Sequence, residues 1–140
     1  MVFRRFTENR SVLPMTFKRK AFGQEGEQLA LEFLQAHGYK ILIQNFKNNL
    51  GEVDIIAQEG SVICFVEVKS RTSDFFGDPV SAISKAKRQK LSQVALSYLK
   101  ANRLIESKAR FDVVSIMKEN DKPKVELLKD AFELSFPYMY

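Results

Sequence analysis

The chain has 140 residues, of which 45% are hydrophobic and 28% charged, with a formal net charge of +5 and a pI near 9.4. This length and composition predict one soluble domain with a real core, and they exclude a membrane-spanning helix because no apolar run approaches the roughly 20 residues required. The basic balance fits either plain solubility or a polyanionic partner such as nucleic acid.

Residues 1–20 are basic, show no clear periodicity and lack the apolar segment of a signal peptide. We interpret them as a mobile basic arm that precedes a folded domain at residues 21–140. The absence of a signal segment leads us to expect a cytoplasmic protein that does not associate with a membrane.

Hydrophobic periodicity predicts a single α/β domain with a mixed sheet, because helical and strand patterns alternate along the chain. The predicted elements, in chain order, are a helix at 23–37 that ends at Gly38, strands at 39–46, 51–58 and 61–69, a helix from Asp78-Pro79 to about Ala101, and strands at 110–117 and 124–128. An aromatic tail follows: Phe132, Phe136, Tyr138 and Tyr140 are expected to pack on the body or on a partner.

The chain contains one cysteine and one histidine, and neither predicts catalytic chemistry. Cys64 lies in an apolar run, which favours a buried, inert thiol. His37 directly precedes Gly38 at a predicted helix end, which argues against a histidine-rich zinc site, a catalytic triad or a Cys-His pair. Any metal must therefore be held by oxygen ligands, which favours Mg²⁺ or Mn²⁺.

The two strands at 51–58 and 61–69 form a hairpin that carries three acids, Glu52, Asp54 and Glu67, among β-branched residues. Acids are depleted from strand interiors, so the pattern needs a physical reason. A two-residue turn at Glu59-Gly60 would place Asp54 opposite Phe65 and Glu52 opposite Glu67, with Asp54 and Glu67 as diagonal neighbours.

In this register Glu52, Asp54, Glu67 and Lys69 share one face at the open end of the hairpin, while residues such as Val53 and Ile55 point to the opposite face. Carboxylates this close must either raise a pKa or bind a cation, and Mg²⁺ suits such a pair. Lys69 would supply positive charge for a phosphate or an attacking water. A hairpin whose acids are merely solvated remains the alternative on this pattern.

The spacing from Asp54 to Glu67-Val68-Lys69 resembles the D…(D/E)xK core of the restriction-endonuclease-like nuclease superfamily. Over about residues 21–117 the chain is similar to the YraN-like family of small bacterial proteins, and more distantly to archaeal Holliday-junction resolvases. The blocks that carry the likeness are Gly26-Glu27, Gly38-Tyr39, Asn45-Phe46, Gly51 to Ala57, Phe65 to Arg71, and Arg110 to Val114.

The resemblance implies a restriction-endonuclease-like αβββαβ core, in agreement with the predicted element order. It implies that Asp54 and Glu67 bind the metal together with the Val68 carbonyl, and that Lys69 orients or polarises the attacking water. Glu27 matches a further acidic position near the metal, and the role of Glu52 stays open. Phosphate contacts would come from Arg71, Lys85, Lys87 and Arg88.

The resemblance therefore implies a Mg²⁺- or Mn²⁺-dependent endonuclease that cuts DNA, with branched or otherwise structured DNA as one candidate substrate. The Gln-x-x-x-Tyr element of RecB-like exonucleases is not reproduced, and Val53 stands where a proline often precedes the aspartate. The alternative is a non-catalytic nucleic-acid-binding or adaptor protein that keeps the nuclease fold. Analogy with resolvases, which act as dimers, makes a homodimer the expected assembly.

Overall fold

The computed structural model describes residues 4–9, 22–71 and 79–134. Within these ranges no helix is long and apolar enough to cross a membrane. The elements, in chain order, are β1 (Arg4–Asn9), α1 (Phe22–Ala36), β2 (Lys40–Asn48), β3 (Gly51–Glu59), β4 (Val62–Arg71), a short 3-10 helix (Pro79–Ala82), α2 (Lys85–Ala101), β5 (Ala109–Glu119) and β6 (Lys122–Phe132).

The strands form one six-stranded sheet in the order β1-β6-β5-β4-β3-β2. The β4–β5 pair is parallel and all other neighbours are antiparallel, so the sheet is mixed. From α1 to β5 the element order is αβββαβ. The predicted α/β fold with a mixed sheet and an αβββαβ core is confirmed.

The two helices cover opposite faces of the sheet, because they belong to separate hydrophobic clusters. Helix α1 buries Leu29, Phe33 and Leu34 in a cluster with Ala57 and Cys64. Helix α2 contributes to a second cluster that includes Leu91, Val94, Ile56, Phe65 and Val113. Each strand of the centre is therefore buried on both sides, which makes any polar group there costly unless it is paired.

Helix α1 and its end agree with the sequence prediction. Gly38 follows the helix with φ +87°, a backbone conformation that glycine adopts without strain. The amide of Tyr39 donates to the Leu34 carbonyl at 3.0 Å, which closes the helix end and directs the chain into β2.

Helix α2 begins later than predicted. Pro79 belongs to the separate 3-10 helix, and α2 begins at Lys85. Ser84 provides the cap, because its Oγ accepts a hydrogen bond from the Lys87 amide at 3.1 Å. The predicted cap at Asp78 lies outside the described residues. The later start places Lys85 and Lys87 in the first turn of the helix.

Part of the predicted N-terminal arm, Arg4–Asn9, lies within the sheet. These residues form β1, an edge strand whose register runs from Arg4 opposite Lys129 to Asn9 opposite Lys124. The partner strand β6 continues to Phe132, well beyond the predicted 124–128, and so offers β1 a full-length edge. The predicted boundary between residues 20 and 21 lies outside the described residues.

The aromatic tail falls partly within the sheet. Phe132 is the last residue of β6, and its ring stacks on that of Phe111 with 4.7 Å between centroids. Phe136, Tyr138 and Tyr140 lie outside the described residues, so the prediction for them is not tested.

Candidate functional site

The central hairpin has a different turn from the predicted one. Its β3–β4 ladder pairs Glu59 with Val62 and Ile56 with Phe65, so the turn consists of Gly60 and Ser61. The prediction that Asp54 faces Phe65 is therefore wrong. Gly60 with φ +60° suits the first position of this turn. The register differs from the prediction by two residues, and a shift of two preserves which positions share a face.

The β3–β4 ladder extends only to the pair of Ile55 with Val66. Beyond it, the Asp54 carboxylate accepts a hydrogen bond from the Val68 amide at 2.8 Å. An aspartate side chain thus takes a main-chain donor of the neighbouring strand at the point where the regular pairing ends. The half-buried carboxylate is thereby fixed beside the backbone of the Glu67-Val68-Lys69 segment.

The strand changes orientation at the same place. Val53 packs in the cluster on the α2 side together with Ile56, whereas Ile55 packs in the cluster on the α1 side. The prediction that Val53 and Ile55 point to one common face is wrong, because strict alternation does not persist through Asp54. Asn45, on the neighbouring strand β2, has φ +53°, which marks a local irregularity beside it.

Glu67 is the most deeply buried acid of the site, with 5% of its surface exposed. Burial, followed by a hydrogen bond and charge repulsion from Asp54, raises its pKa from the usual 4.5 to about 8. The positive charges of Lys87 and Lys69 act in the opposite direction. Asp54 and Glu67 are therefore brought together, as the sequence predicts, into a pair with a deficit of positive charge.

Glu27 approaches this pair from helix α1. Burial, and then repulsion from Asp54 and Glu52, raises the pKa of Glu27 above its usual range. The approach depends on the preceding glycine: a Cβ at Gly26 would lie 2.5 Å from Ser70 Oγ and 3.3 Å from Ile116 Cδ1. Gly26 thus lets α1 pack closely on β4 and β5, directly beside Glu27 in the sequence.

Glu52 lies at the margin of the site. Its side chain is exposed, and in the β2–β3 ladder it is paired with Lys47 rather than with Glu67. The prediction that Glu52 directly opposes Glu67 is wrong, since the regular β3–β4 pairing ends before Glu52. Its charge still acts on Glu27, so it adds to the negative potential of the site.

The four predicted phosphate-binding cations have different surroundings. Lys85 is exposed, and the Lys87 ammonium lies 3.5 Å from Glu67 Oε2. Arg71 is buried, and its Nε donates to Ser115 Oγ at 3.2 Å. Arg88 donates to the carbonyls of Ile83 and Val80, both at 3.1 Å, and so fastens the 3-10 helix to α2. Lys85 and Lys87 are the two placed to meet a ligand from solvent.

A second buried polar cluster, which the sequence analysis did not identify, is centred on Asp112. This fully buried carboxylate accepts hydrogen bonds from the Tyr39 hydroxyl at 2.8 Å, from Arg110 Nε at 2.9 Å and from the Asp130 amide at 2.9 Å. Arg110 and Lys129 each also bind Glu59 at 2.6 Å. The signal for this cluster is the Arg110-x-Asp112 pair within an otherwise apolar strand.

Cys64 is free and fully buried, as predicted. Burial and the nearby negative charge of Asp112 raise the pKa of its thiol to about 12, so the thiolate is scarcely populated at neutral pH.

The donor set suits a hard divalent cation. Among the described residues no three His, Cys, Asp or Glu side chains converge closely enough to hold a metal ion by themselves. The carboxylates of Asp54 and Glu67 meet the needs of Mg²⁺, which typically takes one or two carboxylates and keeps several waters. The raised pKa of Glu67 shows that the pair is under-neutralised, which is the electrostatic condition that a divalent cation relieves.

The chain is similar to a known protein family over most of its length. Residues 26–116 match the family described as "Uncharacterised protein family UPF0102". The chain belongs to the UPF0102 family. This confirms the YraN-like resemblance found in the sequence, and the matched region contains the whole of the Asp54–Glu67 site.

Relatives within the UPF0102 family align over most of their length. A UPF0102 protein of Geobacter metallireducens is 43% identical over 87% of this chain and 100% of its own length. A UPF0102 protein of Syntrophus aciditrophicus is 46% identical over 81% of this chain and 90% of its own length. The solved structure of Pyrococcus furiosus SfsA in complex with Ca²⁺ is similar with a TM-score of 0.36 and 13% identity over 74% of this chain and 60% of that one, a likeness too low to bear on function.

Proposed function

We propose that this protein is a Mg²⁺- or Mn²⁺-dependent endonuclease of the restriction-endonuclease-like superfamily, which hydrolyses phosphodiester bonds of DNA in the cytoplasm. The observation that carries the proposal is the pairing of Asp54 with the buried Glu67 where the β3–β4 ladder ends. Burial, and then the neighbouring Asp54, raise the pKa of Glu67, so its ionised form destabilises the fold unless a bound cation offsets it; such perturbed acids are typical of functional sites.

In this proposal Asp54 and Glu67 hold the metal, with the Val68 carbonyl as a further oxygen ligand. A cation held by these residues would supply charge stabilisation at the reacting phosphate and would lower the pKa of a bound water. The Val68 amide fixes the orientation of the Asp54 carboxylate through its 2.8 Å hydrogen bond. Glu27 adds negative charge that favours the metal.

Lys69 is two residues beyond Glu67 on β4, and its charge already acts on the Glu67 carboxylate. It would hold the attacking water close to the scissile phosphate and steady its developing negative charge. Lys85 and Lys87 would contact backbone phosphates, which gives salt-dependent affinity without reading of the base sequence. Branched or otherwise structured DNA is the proposed preferred substrate, and a homodimer the proposed active assembly.

Cleavage assays on a panel of substrates test the proposal. Purified protein is incubated with labelled linear duplex, single-stranded and four-way-junction DNA in the presence of Mg²⁺, Mn²⁺ or a chelator. We expect cutting with metal alone, and we expect Asp54→Asn to slow it by roughly two orders of magnitude or more, because the cation loses a charged ligand.

The matched control is Asp121→Asn, which removes an acid whose side chain is 89% exposed in the β5–β6 turn, far along the chain from the site. It should cut at the wild-type rate. Full activity in the Asp54→Asn protein would refute the assignment of the site. DNA binding in chelator without cutting by either metal would instead support a non-catalytic binding protein.

A further inference from the structure

The ion pair between Lys87 and Glu67 is a contact that phosphate binding by Lys87 does not explain. The Lys87 ammonium lies 3.5 Å from Glu67 Oε2, and the two side chains are 35% and 6% exposed, respectively. A partly exposed lysine therefore reaches inward to a nearly buried carboxylate. Among the described residues, Glu67 makes this salt bridge and no other, and Asp54 makes none.

The position of Lys87 is unfavourable for a lysine unless it has an anionic partner. Ser84 caps α2 through the Lys87 amide, so the ammonium is attached to the first turn of the helix. The helix dipole makes that end electropositive, and no acid lies in the first turn to offset it. Glu67 supplies the compensating charge, just as Lys87 compensates the paired acids.

A divalent cation bound by Asp54 and Glu67 would compete with the ammonium for the same carboxylate. The metal cation and the Lys87 ammonium are each attracted by the Glu67 carboxylate, and the two positive charges repel each other when they lie within a few ångströms. Lysine has a flexible four-carbon stem and its side chain here is one-third exposed, so it can leave Glu67 without disturbing the core.

We propose that Lys87 is an exchangeable counter-ion: it pairs with the Glu67 carboxyl group in the metal-free protein, releases it when a divalent cation binds, and then contacts a phosphate of the bound nucleic acid. This inference rests on the proposed function. It makes Lys87 a positioning residue whose removal has opposite effects on two ligands: metal binds more tightly, while DNA loses a contact that exists only with metal bound.

Metal affinity is the first test. Isothermal titration with Mn²⁺, without DNA, compares the wild type with Lys87→Met, which keeps the length of the stem but removes the charge. We expect about three- to tenfold tighter binding, since a partly exposed ion pair is worth up to about 1 kcal/mol and the repulsion is also removed. Lys90→Met, an exposed lysine one turn further along α2, should leave the affinity unchanged.

DNA binding is the second test. The dependence of affinity for a labelled duplex on salt concentration is measured in chelator and again with Ca²⁺. In Ca²⁺ the Lys87→Met protein should lose about one unit from the slope of log affinity against log salt, the value for one phosphate contact. In chelator the slope should match the wild type, because Lys87 is then held by Glu67.

The outcomes separate this inference from the proposed function. If the wild type binds no Mn²⁺, the metal site itself is refuted. If the wild type binds Mn²⁺ but Lys87→Met binds it equally or more weakly, the counter-ion role is overturned while the metal site stands. Lys87→Gln provides a second neutral variant should the methionine protein fold poorly.

Discussion

The substitution Glu67→Gln should stabilise the metal-free protein at neutral pH. Glu67 has a pKa of about 8 in the fold against 4.5 for the free group, so the folded protein binds this proton more tightly than the unfolded chain does. Between these two pH values the unfolded state holds fewer protons than the native state. Stability therefore falls as the pH rises across that window.

The size of the effect follows from the width of the window. One proton contributes about 1.4 kcal/mol per pH unit, so about 2.5 units between the free pKa and pH 7 give roughly 3 kcal/mol of destabilisation. Glutamine keeps the size of the side chain and cannot ionise. Because Glu67 is only 5% exposed, solvent screening leaves most of this effect intact, and the raised pKa already includes the opposing charge of Lys87.

Urea unfolding in chelator at pH 5, 7 and 8.5 measures the prediction. The free energy of unfolding of Glu67→Gln should exceed that of the wild type by about 3 kcal/mol at pH 7. The gap should widen at pH 8.5 and shrink to below about 1 kcal/mol at pH 5. Glu106→Gln, which alters an exposed glutamate, serves as the control. If the proposed metal site exists, saturating Mg²⁺ should reverse the order, because a cation bound by Glu67 would stabilise the wild type more than the variant. A variant less stable than the wild type at every pH in chelator would refute the reasoning.

Two further substitutions test the surroundings of the site. Gly26→Ala should lower the free energy of unfolding by about 1–3 kcal/mol through overpacking, because its Cβ would lie 2.5 Å from Ser70 Oγ. In a double-mutant cycle followed by thermal unfolding, Ser70→Ala should restore part of that loss. Strictly additive effects would contradict the contact. Tyr39→Phe should lower the free energy of unfolding in urea by about 1–2 kcal/mol, because it removes a 2.8 Å hydrogen bond to buried Asp112. The Mn²⁺ affinity should not change. A loss of stability below about 0.5 kcal/mol would contradict a stabilising role of this hydrogen bond.

The sequence predicted the α/β class, the order of the core elements and the meeting of Asp54 with Glu67. The class and the element order follow from periodicity. Asp54 and Glu67 remain near neighbours across the hairpin after a register shift of two residues, although the alternation of side chains does not persist through Asp54. The turn was misplaced because Glu59-Gly60 and Gly60-Ser61 both contain the glycine, and local chemistry does not distinguish them. The orientation of Val53 was missed because a side chain, Asp54, replaces the ladder at that point.

Other features depend on contacts between distant parts of the chain. The sequence of Arg4–Asn9 does not indicate a strand, because its pairing needs the free edge of β6. The Lys87–Glu67 pair joins residues on a helix and a strand whose relative placement periodicity does not give. Likewise, Arg88 looks like a surface cation in a basic run, yet its bonds to the Ile83 and Val80 carbonyls direct it inward.

The cluster around Asp112 joins the strands by side-chain bonds at one end of the sheet, whereas the site of Asp54 and Glu67 lies where the β3–β4 pairing ends. Through Glu59, Arg110 and Lys129 it joins β3, β5 and β6 by side-chain bonds, and Tyr39 adds the start of β2. Five residues further back along β3, the ladder gives way to a single bond from Asp54. These side-chain bonds hold the strand register at one end of the sheet. The β3–β4 pairing can therefore end before Asp54 without a change of register elsewhere. The same side-chain bonds should preserve the alignment of the sheet when Asp54 or Glu67 is substituted.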